Sequence, residues 1–167
     1  MTLVQPKLSF ANLEEFLDHE IALTGWVEVP QEAAVTFGHL TFDPDPMHID
    51  PEWAQTQSPY GRTVLAGFHL LSLLPHLTRG SGLHISGVRL AMNYGFERIR
   101  FVSPVPVGAF FRNRVRLVRV DRRADGKATI VTQNQFEIRG QDRPALVAEW
   151  VNLLWPEETA ACVEIEA

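Results

Sequence analysis

The sequence predicts an α+β fold in which about five antiparallel strands curve around one very apolar helix. Three observations carry that prediction. The run 63–74, Thr-Val-Leu-Ala-Gly-Phe-His-Leu-Leu-Ser-Leu-Leu, is apolar nearly all round, as a helix buried on most sides is. Residues 85–94, 98–102, 110–120, 128–138 and 146–154 are rich in β-branched and aromatic types and are separated by Gly, Pro and Asp-Gly turn signals. The helical patterns precede the strands instead of alternating with them, so a parallel, doubly wound sheet is not expected.

The elements follow in order. Residues 1–11 have no periodicity and read as an arm, after which Leu13, Phe16 and Leu17 form one stripe of a short helix with Asn12 as its N-cap. Residues 24–29 alternate like a strand. Pro30 ends it and suits the first turn of a helix over 31–41, whose buried stripe would be Ala34, Val35, Phe37, Gly38 and Phe42, with His39 to one side. Pro44 and Pro46 remove two donors and keep Asp43 and Asp45 out of the helical region, so residues 42–50 are expected to be a stiff, irregular loop. A brief helical turn at 51–54 leads through a turn-rich stretch to the apolar helix, which Pro75 and Gly80 close. Among the strands, Pro104 to Gly108 and Arg123 to Gly126 are the clearest turns, and Arg112, Arg114 and Arg116 alternate with apolar neighbours to give a charged and an apolar face.

Composition sets further bounds. A chain of 167 residues with 46% apolar content suffices for one domain, burying about two thirds of its unfolded surface. We place an N-terminal arm and short helix at 1–20, a single domain at 21–156 and an acidic tail at 157–167. The net charge of −5 lacks the basic field of a nucleic-acid binder. A single Cys162 excludes an intrachain disulfide or a cysteine metal cluster and suits a reducing cytoplasm. No stretch approaches the ~18 apolar residues of a membrane span, and the first ten residues lack a signal-peptide core, so a cytoplasmic location is expected.

Three groups of residues have chemical potential. Asp43 and His48 are close enough in a folded loop to share one water and divide proton transfer between them. The alternatives are a turn in which Asp43 caps backbone while His48 packs at the surface, or a metal site that adds Asp50. Gly67, near the start of the apolar helix, either offers its N–H to a developing oxyanion or is a packing glycine. His69 and Ser72, three apart on that helix, read as satisfied core or interface residues, and the strand arginines as a solvated face or a phosphate contact.

Together these motifs resemble a known family. Phe37-x5-Asp43-x-Asp45-Pro46-x-His48-x-Asp50, the Ala66-Gly67-Phe68 start of the helix, and Arg100-Phe101-x-x-Pro104-Val105-Pro106-Val107-Gly108 are similar to the MaoC-like (R)-specific enoyl-CoA hydratases of the hotdog fold. Asn93-Tyr94-Gly95-Phe96 is similar to the nodulation-protein-N-like branch. The resemblance covers residues 27–155. It implies a five-stranded antiparallel sheet wrapped around residues 62–77, homodimers or a higher oligomer, an acyl-CoA substrate and no metal or organic cofactor. It assigns Asp43 and His48 as the acid/base pair, the Gly67 amide as oxyanion donor, and Asp45, Ala66, Phe68 and Arg100 to the substrate's surroundings, with pantetheine leaving past the strand arginines. The implied reaction is hydration of a trans-2-enoyl thioester to an (R)-3-hydroxyacyl thioester, or its reverse. Two positions depart from the family's pattern: Asp45 stands where Asn or Gln is usual, and Ala66 where His usually precedes the helix glycine.

Two other functions fit a hotdog chain. Thioesterases of that fold commonly carry an acidic residue on the central helix, and residues 63–74 contain none. A non-catalytic acyl-CoA-binding or assembly subunit would not need the Asp43 and His48 pair that this chain retains.

Overall fold

The alternation read in the second half forms strands as expected, with their boundaries redrawn by pairing. The computed structural model describes residues 7–157. A 3-10 helix (Phe10–Phe16) and a short strand β1 (Glu20–Leu23) precede α1 (Gln31–Leu40), α2 (Pro46–Ile49), α3 (Pro51–Gln57), α4 (Gly67–Ser72) and α5 (Leu74–Gly80). Four long strands follow: β2 (Val88–Phe101), β3 (Phe111–Arg122), β4 (Ala128–Ile138) and β5 (Leu146–Pro156). They form one five-stranded sheet in the order β1-β3-β4-β5-β2, every neighbour antiparallel. No helix among the described residues is long and apolar enough to cross a membrane.

The inner face of the sheet holds the core. Leu70, Leu74 and Leu77 of the two central helices pack with Phe111, Phe136, Leu146 and Ala148. A second cluster joins Leu8, Leu13 and Ile21 to Val115, Leu117, Ile130 and Leu154. Between the two, along β3 and β4, sits a buried polar band: Asn113 Nδ2 donates to Asn134 Oδ1 at 2.9 Å, and Asn134 Nδ2 donates to the Thr132 carbonyl and hydroxyl, each at 3.0 Å. On the outer face, Arg112 and Arg114 each bond an oxygen of Glu137 at 2.7 Å, Arg114 also pairs with Glu20, and Arg116 pairs with Asp18 at 3.0 Å. These arginines form a solvated, paired face turned away from the helices, so the expected pantetheine path past them finds no free cation on β3.

Several elements differ from expectation. The strand read at 24–29 lies earlier, at β1; Thr24 still donates its N–H to the Asn113 carbonyl at 2.9 Å but takes the Asn113 N–H on its hydroxyl at 2.8 Å instead of its carbonyl, and Val27 pairs as an isolated bridge, exchanging two bonds with Phe111. The runs 85–94 and 98–102 are one strand, β2, whose register slips near Gly95 without ending the ladder. Ser9 is the N-cap of the 3-10 helix and its N–H donates to the Asn12 side chain at 2.7 Å, so Asn12 closes a capping box instead of being the N-cap. The apolar run becomes a helix only at Gly67, and Pro75 sits in the first turn of α5 instead of ending the helical stretch. The expected arm falls partly, and the acidic tail with Cys162 almost wholly, outside the described residues.

Phe111 and Phe136 are fully buried and stack with ring centroids 5.8 Å apart, linking β3 to β4 under the central helices. Replacing Phe136 by Ala removes that contact and leaves a cavity that neighbouring strands cannot close, so we expect a stability loss of about 3–5 kcal/mol in urea unfolding. A loss below about 1 kcal/mol would place Phe136 outside the core that holds the sheet to the helices.

Candidate active site

The loop after α1 is built by close packing on the helix it leaves. Phe42 adopts a left-handed φ of +59° and is 94% exposed, so it turns the chain instead of extending the buried stripe expected of it. The Asp43 N–H then donates to the Gly38 carbonyl at 2.9 Å. A side chain at Gly38 would lie 3.1 Å from Ile49 Cγ2 and 3.2 Å from the Asp43 carbonyl, so glycine lets the loop fold directly onto α1. The prolines do not keep the segment irregular. Pro46 and Pro51 occupy first-turn positions of α2 and α3, where a missing N–H costs nothing, and aspartates precede both as caps. Asp45 Oδ1 accepts the Met47 N–H at 2.8 Å, while Asp50 Oδ1 accepts those of Glu52 and Trp53, each at 3.0 Å.

His48 is oriented from two sides. Its own carbonyl accepts from Gln31 Nε2 at 2.9 Å, and Gln31 Oε1 accepts the Thr63 hydroxyl at 2.6 Å. Its ring Nδ1 lies 2.7 Å from the Val64 carbonyl. A carbonyl only accepts, so Nδ1 carries a proton in this contact and the neutral ring keeps its lone pair on Nε2. That is the form a proton acceptor needs.

Asp43 and His48 line one cavity of about 220 Å³, together with Ala34, Phe37, Gly38, Thr41, Ala66, Phe68 and His69. His48 also borders a neighbouring cavity of about 270 Å³, shared with Gly67, Phe101, Val102 and Ser103. As the first residue of α4, Gly67 has an N–H with no carbonyl one turn back inside the helix. A Cβ at this position would stand 2.9 Å from the Phe101 ring, so glycine lets that ring pack directly on the start of α4. Of the residues singled out in the sequence, Asp43, His48, Ala66 and Phe68 meet at the first cavity and Gly67 adjoins it through His48. Asp45 is occupied as a cap. Arg100 is exposed on β2 with its guanidinium on the Ile99 carbonyl at 2.8 Å, and it lines neither cavity. No group of three or more His, Cys, Asp or Glu among the described residues is placed to hold a metal ion, and Asp50 is turned to the α3 backbone.

Sequence reasoning missed the supporting roles of Gln31 and Val64, which carry no chemical signal of their own, and read Phe37 as part of a buried stripe without its contact to His69. It also misread His69. Ser72 is satisfied, its hydroxyl donating to the His69 carbonyl at 2.7 Å. The His69 ring is only 8% exposed and stacks flat on Phe37, centroids 4.3 Å apart, yet its Nδ1 is buried without a partner among the described residues. Burial pushes its pKa below 6.5 and favours the neutral ring.

Comparison with known proteins supplies the remaining observation. Residues 13–137 match the MaoC like domain. The chain is similar to 3-hydroxyacyl-thioester dehydratase Z of Mycobacterium tuberculosis, 36% identical over 141 residues that cover 84% of this chain and 92% of the relative. It is similar to Nodulation protein N of Rhizobium leguminosarum bv. viciae, 32% identical over 148 residues, 89% of this chain and 92% of the relative. Its fold is similar to that of the (R)-hydratase from A. caviae involved in PHA biosynthesis, with a TM-score of 0.64 and 24% identity over 78% of this chain and 91% of that one.

The buried His69 makes stability depend on pH with a definite sign. Below 6.5 the unfolded chain binds a proton that the folded ring resists, so stability falls as pH drops through that region. We expect the difference in unfolding free energy between about pH 7.5 and about pH 5 to be smaller in His69→Leu than in the wild type. Equal differences in the two proteins would contradict this account.

Proposed function

Since the chain belongs to the MaoC-like domain family, we propose that it is a hydro-lyase interconverting a trans-2-enoyl thioester and the (R)-3-hydroxyacyl thioester. The observation that carries this reading is the shared cavity of Asp43 and His48, with His48 held by the Val64 carbonyl so that Nε2 is free. One water placed between a carboxylate oxygen and that nitrogen donates a hydrogen bond to each, which aims a lone pair at Cβ of the enoyl group. As the C–O bond forms, the pair removes one proton from the water. The electrons of the double bond move toward Cα and the thioester oxygen, where the Gly67 N–H holds the developing charge. The proton then returns to Cα on the same face, so the elements of one water are added and no electrons leave the substrate. Coenzyme A as the thiol carrier and a cytoplasmic location belong to the same reading.

The test follows loss of the conjugated thioester absorbance of crotonyl-CoA and longer enoyl-CoAs while free thiol is monitored. We expect absorbance loss without thiol release, and expect Asp43→Asn and His48→Gln each to lower kcat by about 10²–10⁴. Thiol release would mark a thioesterase instead. Activity within about tenfold of wild type in either variant would overturn the assignment of the pair.

We also propose a homodimer formed along β2. This strand lies at the end of the sheet order, pairs with β5 on one side, and exposes Leu90, Met92, Tyr94 and Phe96. An edge of 14 residues with such side chains is an open template for another strand, and a second copy offers the matching one. Sedimentation equilibrium at micromolar concentration is expected to give the dimer mass, and a monomer mass would refute it.

A further inference from the structure

His69 is a buried polar group at the site that neither the fold nor the hydration step uses. The ring is held flat against Phe37, so it cannot swing away to find a partner without losing that stack. Its Nδ1 is buried and unpaired, and no other hydrogen bond is made by the ring among the described residues. His69 nonetheless lines the cavity of Asp43 and His48, and Nε2, the ring nitrogen that the protein does not enclose, is the one a ligand there can meet.

The two cavities that meet at His48 give the direction in which a substrate would lie. A thioester oxygen at the Gly67 N–H occupies the side with Phe101 and Ser103. Acyl carbons beyond the double bond then fall on the side with Asp43, between Phe37, Ala66, Phe68 and His69. That wall is apolar apart from His69 and Thr41, and the Thr41 hydroxyl already donates to the Phe37 carbonyl at 2.9 Å. A plain alkyl tail would leave the imidazole unpaired. A carboxylate tail would face Asp43, and no Lys or Arg among the described residues lines the cavity. A neutral imidazole has one donor and one acceptor nitrogen, which suits an uncharged oxygen.

We propose that His69 is a specificity-determining residue that hydrogen-bonds a hydroxyl or carbonyl oxygen on the acyl chain beyond the reacting double bond. The proposal rests on the reading of Asp43 and His48 as the hydration pair, and its test avoids turnover so that the two can fail separately. Titration calorimetry with saturated thioesters, which have no double bond to hydrate, compares hexanoyl-CoA with the same chain bearing a keto group on its fifth carbon or a hydroxyl on its sixth. Wild-type protein is expected to bind at least one oxygenated thioester about tenfold or more tightly than hexanoyl-CoA. His69→Leu should lose that preference while binding hexanoyl-CoA at least as well, and His69→Gln, which retains a donor and an acceptor, should recover part of it. Equal affinities in the wild type, or a preference that persists unchanged in His69→Leu, would overturn the proposal.

Discussion

The backbone of Val64 fixes the geometry on which the site depends. Its N–H donates to the Met47 carbonyl at 3.2 Å and its carbonyl accepts from His48 Nδ1 at 2.7 Å, so one residue grips both sides of α2. The adjoining Leu65 N–H donates to the Val105 carbonyl at 2.8 Å, and the Val107 N–H to the Thr63 carbonyl at 3.1 Å. This short extended segment is therefore held between the loop that carries Asp43 and His48 and the turn after β2. Gly67 follows three residues after Val64, so the imidazole and the proposed oxyanion donor hang from the same piece of chain. Each bond contributes only about 1 kcal/mol net, but leaving a buried member unpaired costs about 1–3 kcal/mol, and that asymmetry keeps the segment extended.

That constraint explains why the apolar run from Thr63 to Leu74 was only half legible. Hydrophobicity marks the segment as buried, and Thr63 to Ala66 are as apolar as the residues that follow. Periodicity cannot tell a buried extended piece from a buried helix when the partners lie 40 residues away in the 104–108 turn. The same limit applies to the strands. β3, β4 and the hairpin between them came directly from alternation and the Asp125-Gly126 turn, because those pairings are local. β1 was displaced because Thr24 hydrogen-bonds Asn113 on a strand distant in sequence, and β2 was split because a bulge near Gly95 looks like a turn when its partner β5 is unseen.

The site was legible in its proposed acid/base groups and illegible in their supports. Asp43 and His48 stood out because carboxylate and imidazole in a proline-rich loop are chemically conspicuous. Gln31 is not, yet its amide ties the His48 carbonyl to the Thr63 hydroxyl across two sequence separations of 17 and 32. His69 was visible as a residue but not as an unpaired one. A histidine on an apolar helix is normally satisfied, and only the placement of Phe37 across its face shows that the ring is held without a partner.

Asp43, Asp45 and Asp50 show how position assigns different work to one residue type. Each aspartate precedes a proline, which keeps it extended and makes it a natural cap for whatever follows. Asp45 and Asp50 take that role, because Pro46 and Pro51 begin α2 and α3 and the next N–H groups need an acceptor. After Pro44 comes Asp45 and not a helix, so no first turn presents N–H groups to the Asp43 carboxylate. Its backbone N–H is spent closing α1 on Gly38, while its side chain is left at the cavity it shares with His48. The extra carboxylate at Asp45 thus acts on the backbone of α2, and the aspartate that has no helix to cap is the one left for the proposed chemistry.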